Sequence, residues 1–326
     1  MKKLIIVFGI LILWAVIFAV VYERGKQRPG LLYAEIPKET VEFINNLSNH
    51  LSDILSSFNP KPDPKDWDNG SNFGEDTQSG LLKYEDEYFI IYYDPSNRKE
   101  AQIMKEHAHN AIRPLAGLFG KYFYPADVNG RKLPVYLGKT KSEFGRLVKM
   151  LTPHADDEIT TRAAGVYISE TSSMGCLTKG IVINNELTFT SDRFAKTVIW
   201  HEMAHYVFFT SLNYGKNMNV QMWCYEGIAE YFARQGERLT FTKKQIEDMQ
   251  KECDFSARHF KYVYQNYQGG ESIFRFTEKQ YSKQAVTGFL STLYQEGVTL
   301  SLKSNFSVDL KQFEQNWKNY LPNFAN

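Results

Sequence analysis

The sequence predicts an α+β domain set behind an N-terminal apolar segment. Three observations carry that reading. Short β-rich runs alternate with helical stretches from Tyr84 to Asn184. From Ser191 onward the pattern is almost wholly helical. Ahead of both lies an uncharged run of membrane length. With 326 residues, 43% of them hydrophobic, the chain can bury one or two sizeable cores. Its net charge of +1 and the absence of a basic stripe argue against a nucleic-acid partner.

Lys2 and Lys3 precede Leu4–Tyr22, which carries no charge and has about the length of a bilayer span. The run ends Phe18-Ala19-Val20-Val21-Tyr22-Glu23 without a small-x-small cleavage site, so an uncleaved single-pass anchor is expected over a signal peptide. Arg24, Lys26 and Arg28 oppose Lys2 and Lys3, but a tail this short before a lone span favours an orientation with the bulk of the chain outside the cytoplasm. Secretion after cleavage is the alternative. Residues 1–30 are therefore read as anchor and flank, and residues 31–80 as a juxtamembrane segment. Within the latter, Val41, Ile44, Leu47, Leu51, Ile54, Leu55 and Phe58 mark an amphipathic helix over Lys38–Phe58. The repeat is too short for a sustained coiled coil, which favours a helix docked on the domain. Asn59–Gly80, rich in Pro, Asp, Gly, Asn and Ser, reads as a flexible linker. Asn69 and Asn305 each open a glycosylation sequon.

Residues 81–326 form the predicted folded domain, an α/β part over 81–210 and a helical part over 211–326. Tyr88–Tyr93 is a strand by its aromatic and β-branched content, closed by Asp94-Pro95. Asn97–Phe119 is helical, with Pro114 a kink or break near its end. Leu133–Leu137 is a second strand, and Pro134 argues for an edge or first position. A helix over Lys141–Leu151 follows, then strands over Ala164–Ser169 and Gly180–Asn184. Ser191 caps the next helix, with Asp192 in its first turn, where negative charge is favoured. Helices are expected again over Lys243–Glu252, Ser282–Gln295 and Leu310–Tyr320.

The chemistry is concentrated in His201-Glu202-Met203-Ala204-His205. On a helix, positions i and i+4 share a face, so both imidazoles reach one ion. The glutamate between them is placed to deprotonate a metal-bound water. This is the H-E-x-x-H pattern of zinc hydrolases. Such sites take three protein ligands and leave a fourth position open, and two His plus one Glu is a known set. The stretch Trp223-Cys224-Tyr225-Glu226-Gly227-Ile228-Ala229-Glu230-Tyr231 offers Glu226 as third ligand. Glu230, one turn on, could accept a hydrogen bond from the outward nitrogen of a ligand histidine. Gly227 would let two helices approach closely enough to bring Glu226 to the His pair. As a packed alternative, three such polar groups buried without a metal would be costly to desolvate.

His-Glu-x-x-His followed by Trp-x-x-Glu-Gly-x-Ala-x-Tyr resembles the gluzincin zinc metallopeptidases, especially the peptidase-MA-like group. The specific motifs cover about residues 198–234, with looser similarity in element order back to about Tyr84. The resemblance implies a small mixed sheet with helices, a zinc helix and a C-terminal helical subdomain. It implies Zn2+ on His201, His205 and Glu226, Glu202 as general base, Glu230 behind the ligands, and a peptide or protein substrate. It also implies that the strand before the zinc helix, here Ile181–Asn184, forms the cleft edge and pairs with an extended peptide. Aminopeptidase-type relatives carry Gly-x-Met-x-Asn before the zinc helix. Here the stretch reads Gly180-Ile181-Val182-Ile183-Asn184-Asn185, so recognition of a free N-terminus has no support.

An oxyanion donor, usually a Tyr or His beyond the third ligand, completes such a site. Tyr281 is the first candidate, ahead of His259, Tyr262, Tyr264 and Tyr267. His107 and His109 are two positions apart on a helix and face different sides, so they form no metal pair. His154, after a proline, is read as solvated. Cys176, Cys224 and Cys253 include no C-x-x-C pair, and Cys224 is read as buried core. The function expected is a membrane-anchored, extracytoplasmic zinc peptidase. The alternatives are a tethered zinc-containing binding module with little turnover and a zinc amidase acting on cell-wall crosslinks.

Overall fold

Alternation of period two organises the sheet. In the computed structural model, which describes residues 73–76, 81–120, 132–155, 162–172, 175–212 and 220–326, Phe89, Ile91 and Tyr93 bury one face of a strand. The expected anchor Leu4–Tyr22, the helix Lys38–Phe58 and most of the linker Asn59–Gly80 lie outside the described residues. No helix among the described residues is long and apolar enough to cross a membrane. The described residues all fall in one compact unit, Ser71–Asn326.

The mixed α+β character is as expected. In chain order come β1 (Phe73–Asp76), β2 (Leu81–Glu85), β3 (Phe89–Tyr93), α1 (Arg98–Phe119), β4 (Leu133–Gly138), α2 (Lys141–Leu151), β5 (Gly165–Ser172) and β6 (Gly175–Asn184). One helical turn at Asn185–Thr188 leads to α3 (Asp192–Leu212), α4 (Met222–Ala233) and α5 (Lys243–Glu252). A π-helical turn, Gln265–Gly269, runs into α6 (Gly270–Gln280), followed by α7 (Lys283–Phe306) and α8 (Leu310–Tyr320). The sheet has the order β1-β2-β3-β4-β6-β5. β3, β4 and β6 are mutually parallel, and β2 and β5 run antiparallel to them. Helix α2 covers one face through Phe144, Leu147 and Val148, packed with Leu81, Ile168 and Val182. Helices α1 and α3 pack against each other, and α3 also meets β5 and β6.

Four expectations change. β1 lies inside the segment read as linker and pairs with β2 from Phe73↔Tyr84 to Asp76↔Leu81, so the folded unit begins before Tyr84. Pro114 does not interrupt α1, which continues through it to bury Leu115, Leu118 and Phe119. Pro134 stands in an interior strand. Its missing donor is tolerated because pairing of β4 with β6 starts only at Val135↔Ile181. Beside it Gly180 adopts φ +150, and a Cβ there would lie 2.8 Å from the Pro134 carbonyl oxygen.

The fourth correction bears on the cleft. Ile181–Asn184 is paired on both sides, to Val135–Gly138 and to Gly165–Tyr167, so it cannot add a further strand. The edge strand on this side of the sheet is β5. Hydrophobic runs such as Ile181-Val182-Ile183 mark strands buried on both faces, a property of sheet centres rather than edges.

Candidate metal centre

Helix α3 starts where Ser191 Oγ accepts the amide of Phe194 at 3.2 Å. Its Ile199, Ala204 and Phe208 are wholly buried, which fixes the helix roll and turns His201 and His205 to one side. Helix α4 is apolar almost all round. Trp223, Cys224, Ile228, Ala229 and Phe232 are fully buried, yet Glu226 and Glu230 are buried among them at 7% and 8% exposure. Carboxylates at such depth need strong partners.

They have them. Glu226 Oε2 lies 3.4 Å from His201 Nε2 and 3.3 Å from His205 Nε2, and the two Nε2 atoms are 2.9 Å apart. Three donors around a tetrahedral zinc would be separated by about 3.3–3.5 Å. Glu226 Oε2 is buried without a hydrogen-bond partner, and two imidazole nitrogens face each other across the same space. A cation accounts for both features. The residues present therefore fit a metal ion, and His201, His205 and Glu226 form the group that could bind one.

Charge balance points the same way. Burial opposes the Glu226 carboxylate, but His205 and His201 outweigh it and hold its pKa below the usual carboxylate range. Burial likewise opposes protonation of His201, and Glu226 and Glu230 overcome it and push its pKa up. A proton there and a metal ion in the triad answer the same negative charge. Behind the ligands, Glu230 Oε1 is 3.2 Å from His201 Nδ1. His205 has no such support, since its Nδ1 is buried without a partner.

Glu202 is 6% exposed, and burial raises its pKa. It accepts a hydrogen bond from the backbone N–H of Tyr167 on the edge strand β5. Room for that contact comes from Gly165, where a Cβ would sit 3.0 Å from Glu202 Cγ and 2.9 Å from Val198 Cγ1.

Other candidates fall elsewhere. Tyr281 caps the C-terminus of α6, and its ring packs on Phe306 at 4.5 Å and Phe276 at 6.2 Å. Tyr267, on the π-helical turn, lies beside His201 with ring centroids 6.0 Å apart and planes 11° apart. Tyr262 is 41% exposed and stacks on Tyr264, and His259 and His154 are exposed. His107 reaches Asp192 at 2.9 Å and His109 reaches Asp86 at 2.7 Å, so the two face apart. Gly227 allows a close crossing, but with α6: a Cβ there would lie 2.5 Å from the Gly270 carbonyl carbon.

Three part-exposed rings and one cation went unforeseen: Tyr167, Phe209, Tyr225 and Arg234. Arg234, four residues after Glu230 on a helix, carried a signal that i,i+4 pairing rules could have found. The rings did not, because one comes from a distant strand. No protein-family model matches the chain, and no curated protein matches it either.

Proposed function

We propose that the chain is a zinc-dependent peptidase of gluzincin type, with Glu202 as general base and its catalytic domain outside the cytoplasm behind an N-terminal anchor. The observation that carries this is the convergence of His201, His205 and Glu226 donors beside a buried Glu202. Two imidazoles and one carboxylate suit zinc and leave a coordination position free. Zinc there supplies Lewis acidity toward a carbonyl oxygen and acidifies water at the open position.

The chain's own groups do the rest. Burial makes the Glu202 carboxylate a stronger base, and the Tyr167 N–H keeps it aimed while it takes a proton from water and passes it to the leaving amine. Glu230 fixes the ring of His201. The phenol of Tyr267, beside His201, is the best placed of the five candidate donors for a developing oxyanion. An extended peptide suits the outer edge of β5, the last of the described strands, where strand addition would supply main-chain hydrogen bonds beyond the Tyr167 N–H that Glu202 already takes.

Digestion of a casein-type substrate by the zinc-loaded protein and by Glu202→Gln tests the reading. Wild-type turnover that falls at least about 1000-fold in the variant, with zinc retained, supports it. Equal activity in both refutes Glu202 as base.

A further inference from the structure

The space beside the ligands is bordered unequally. On the His201 side stands one ring, Tyr267. On the His205 side three rings form a continuous surface. Tyr167 stacks on Phe209 with centroids 5.6 Å apart and planes 11° apart. Phe209 meets Tyr225 at 5.4 Å. His205 lies 6.2 Å from Phe209 and 6.0 Å from Tyr225.

Each of the three comes from a different element, β5, α3 and α4, and each is part-exposed. Their neighbours Tyr206, Phe208 and Cys224 are all 1% exposed or less. Over residues 202–210 of α3 and 223–233 of α4, incomplete burial is local to Phe209 and Tyr225. Their positions are tied to the reacting groups. Tyr167 is the residue whose N–H holds Glu202, Phe209 is one turn beyond His205, and Tyr225 adjoins Glu226.

We infer that Tyr167, Phe209 and Tyr225 form an aromatic shelf that selects a large apolar side chain, aromatic above all, on the residue next to the bond being cleaved. The inference rests on the peptidase reading for its substrate and deepens it. A strand laid along β5 directs alternate side chains to one face, so one side chain next to the scissile bond meets the shelf. Ring faces and edges favour an incoming aromatic group in offset or edge-on contact, beyond the area it buries. Nothing in the shelf is charged, so an acidic or basic side chain there would lose hydration without a partner.

The test uses the full-length, zinc-loaded protein and N-acylated amino-acid hydroxamates bearing a benzyl or a methyl side chain, with acetohydroxamate as reference. Affinities are measured by calorimetry, which needs no turnover. The benzyl compound should bind about 10- to 100-fold more tightly than the methyl one. Phe209→Ala or Tyr225→Ala should remove most of that preference while leaving acetohydroxamate affinity unchanged. Phe209→Leu keeps the core filled should the alanine variant not fold, and should also reduce the preference. No benzyl preference, a preference untouched by these variants, or no hydroxamate binding overturns the shelf. A parallel peptide-library digest separates the two readings. Benzyl preference without cleavage of any peptide leaves the shelf standing and removes the peptidase. Cleavage indifferent to aromatic residues, with no benzyl preference, does the reverse.

Discussion

Glu230 Oε1 stands 3.2 Å from Nδ1 of His201, the ring nitrogen turned away from Glu226. The other Glu230 oxygen accepts from Arg234 Nε at 2.5 Å. Arg275 donates to the Arg234 carbonyl at 2.9 Å and pairs with Glu271 at 2.6 Å. Glu271 is fully buried, and burial pushes its pKa up to about 7. The orientation of His201 thus depends on a ladder of charged groups reaching from α4 to α6.

Glu230→Ala should weaken zinc binding about 10- to 100-fold, the usual loss when a histidine ligand loses its orienting carboxylate. Arg234→Ala should cost less, about 2- to 10-fold, because the carboxylate stays. Chelator competition measures both. Wild-type affinity in Glu230→Ala would remove its role.

Metal content tests the ligands themselves. The intact protein should hold about one zinc per chain through three protein ligands. His201→Ala and His205→Ala should abolish binding, and Glu226→Ala should reduce it severely. Normal zinc in Glu226→Ala would pass the third position to Glu230.

Two glycines should respond oppositely to alanine. Gly227→Ala forces a methyl to 2.5 Å from Gly270 and should destabilise by about 1–3 kcal/mol, while also loosening zinc through Glu226. Gly117, inside α1 with nothing within 4 Å of an added Cβ, should gain up to about 1 kcal/mol. Denaturant midpoints decide. Equal shifts in the two variants would contradict the crossing geometry.

Asp86 anchors the β2–β3 turn. It accepts the amides of Tyr88 and Phe89, both at 2.9 Å, and meets His109 at 2.7 Å. Burial works against it, but His109 and the two amides hold its pKa down to about 2. Because the folded value lies below the unfolded one, its stabilisation is complete above about pH 4 and fades as pH falls toward 2. Asp86→Ala should cost about 2 kcal/mol at pH 7 and much less at pH 2, read from urea unfolding at both. A loss that does not depend on pH would refute the assignment.

Legibility followed the range of each interaction. His201, Glu202 and His205 share one helical turn, and Glu226 and Glu230 share another, so local spacing was enough to propose the group the structure brings together. Strand and helix positions with strong period two or 3.6 were readable for the same reason. Sheet order was not. Whether Ile181–Asn184 is central or marginal depends on which strands flank it, and apolar content was the one available cue. Read from the sequence, Tyr281 ranks ahead of Tyr267 because the π-helical turn that sets Tyr267 beside His201 has no period of its own there. Gly227 was recognised as a close-approach residue, but its partner Gly270 lies far along the chain.

Where α4 and α6 cross at Gly227 and Gly270, main chain meets main chain, and the rings of Trp223, Tyr231 and Phe274 pack beside the crossing. Tyr267, on the turn that enters α6, is thereby tied through this crossing to the helix that carries Glu226. A displacement of α4 from α3 should accordingly shift Glu226 and Tyr267 together relative to His201, so that one distortion disturbs both neighbours of that ring.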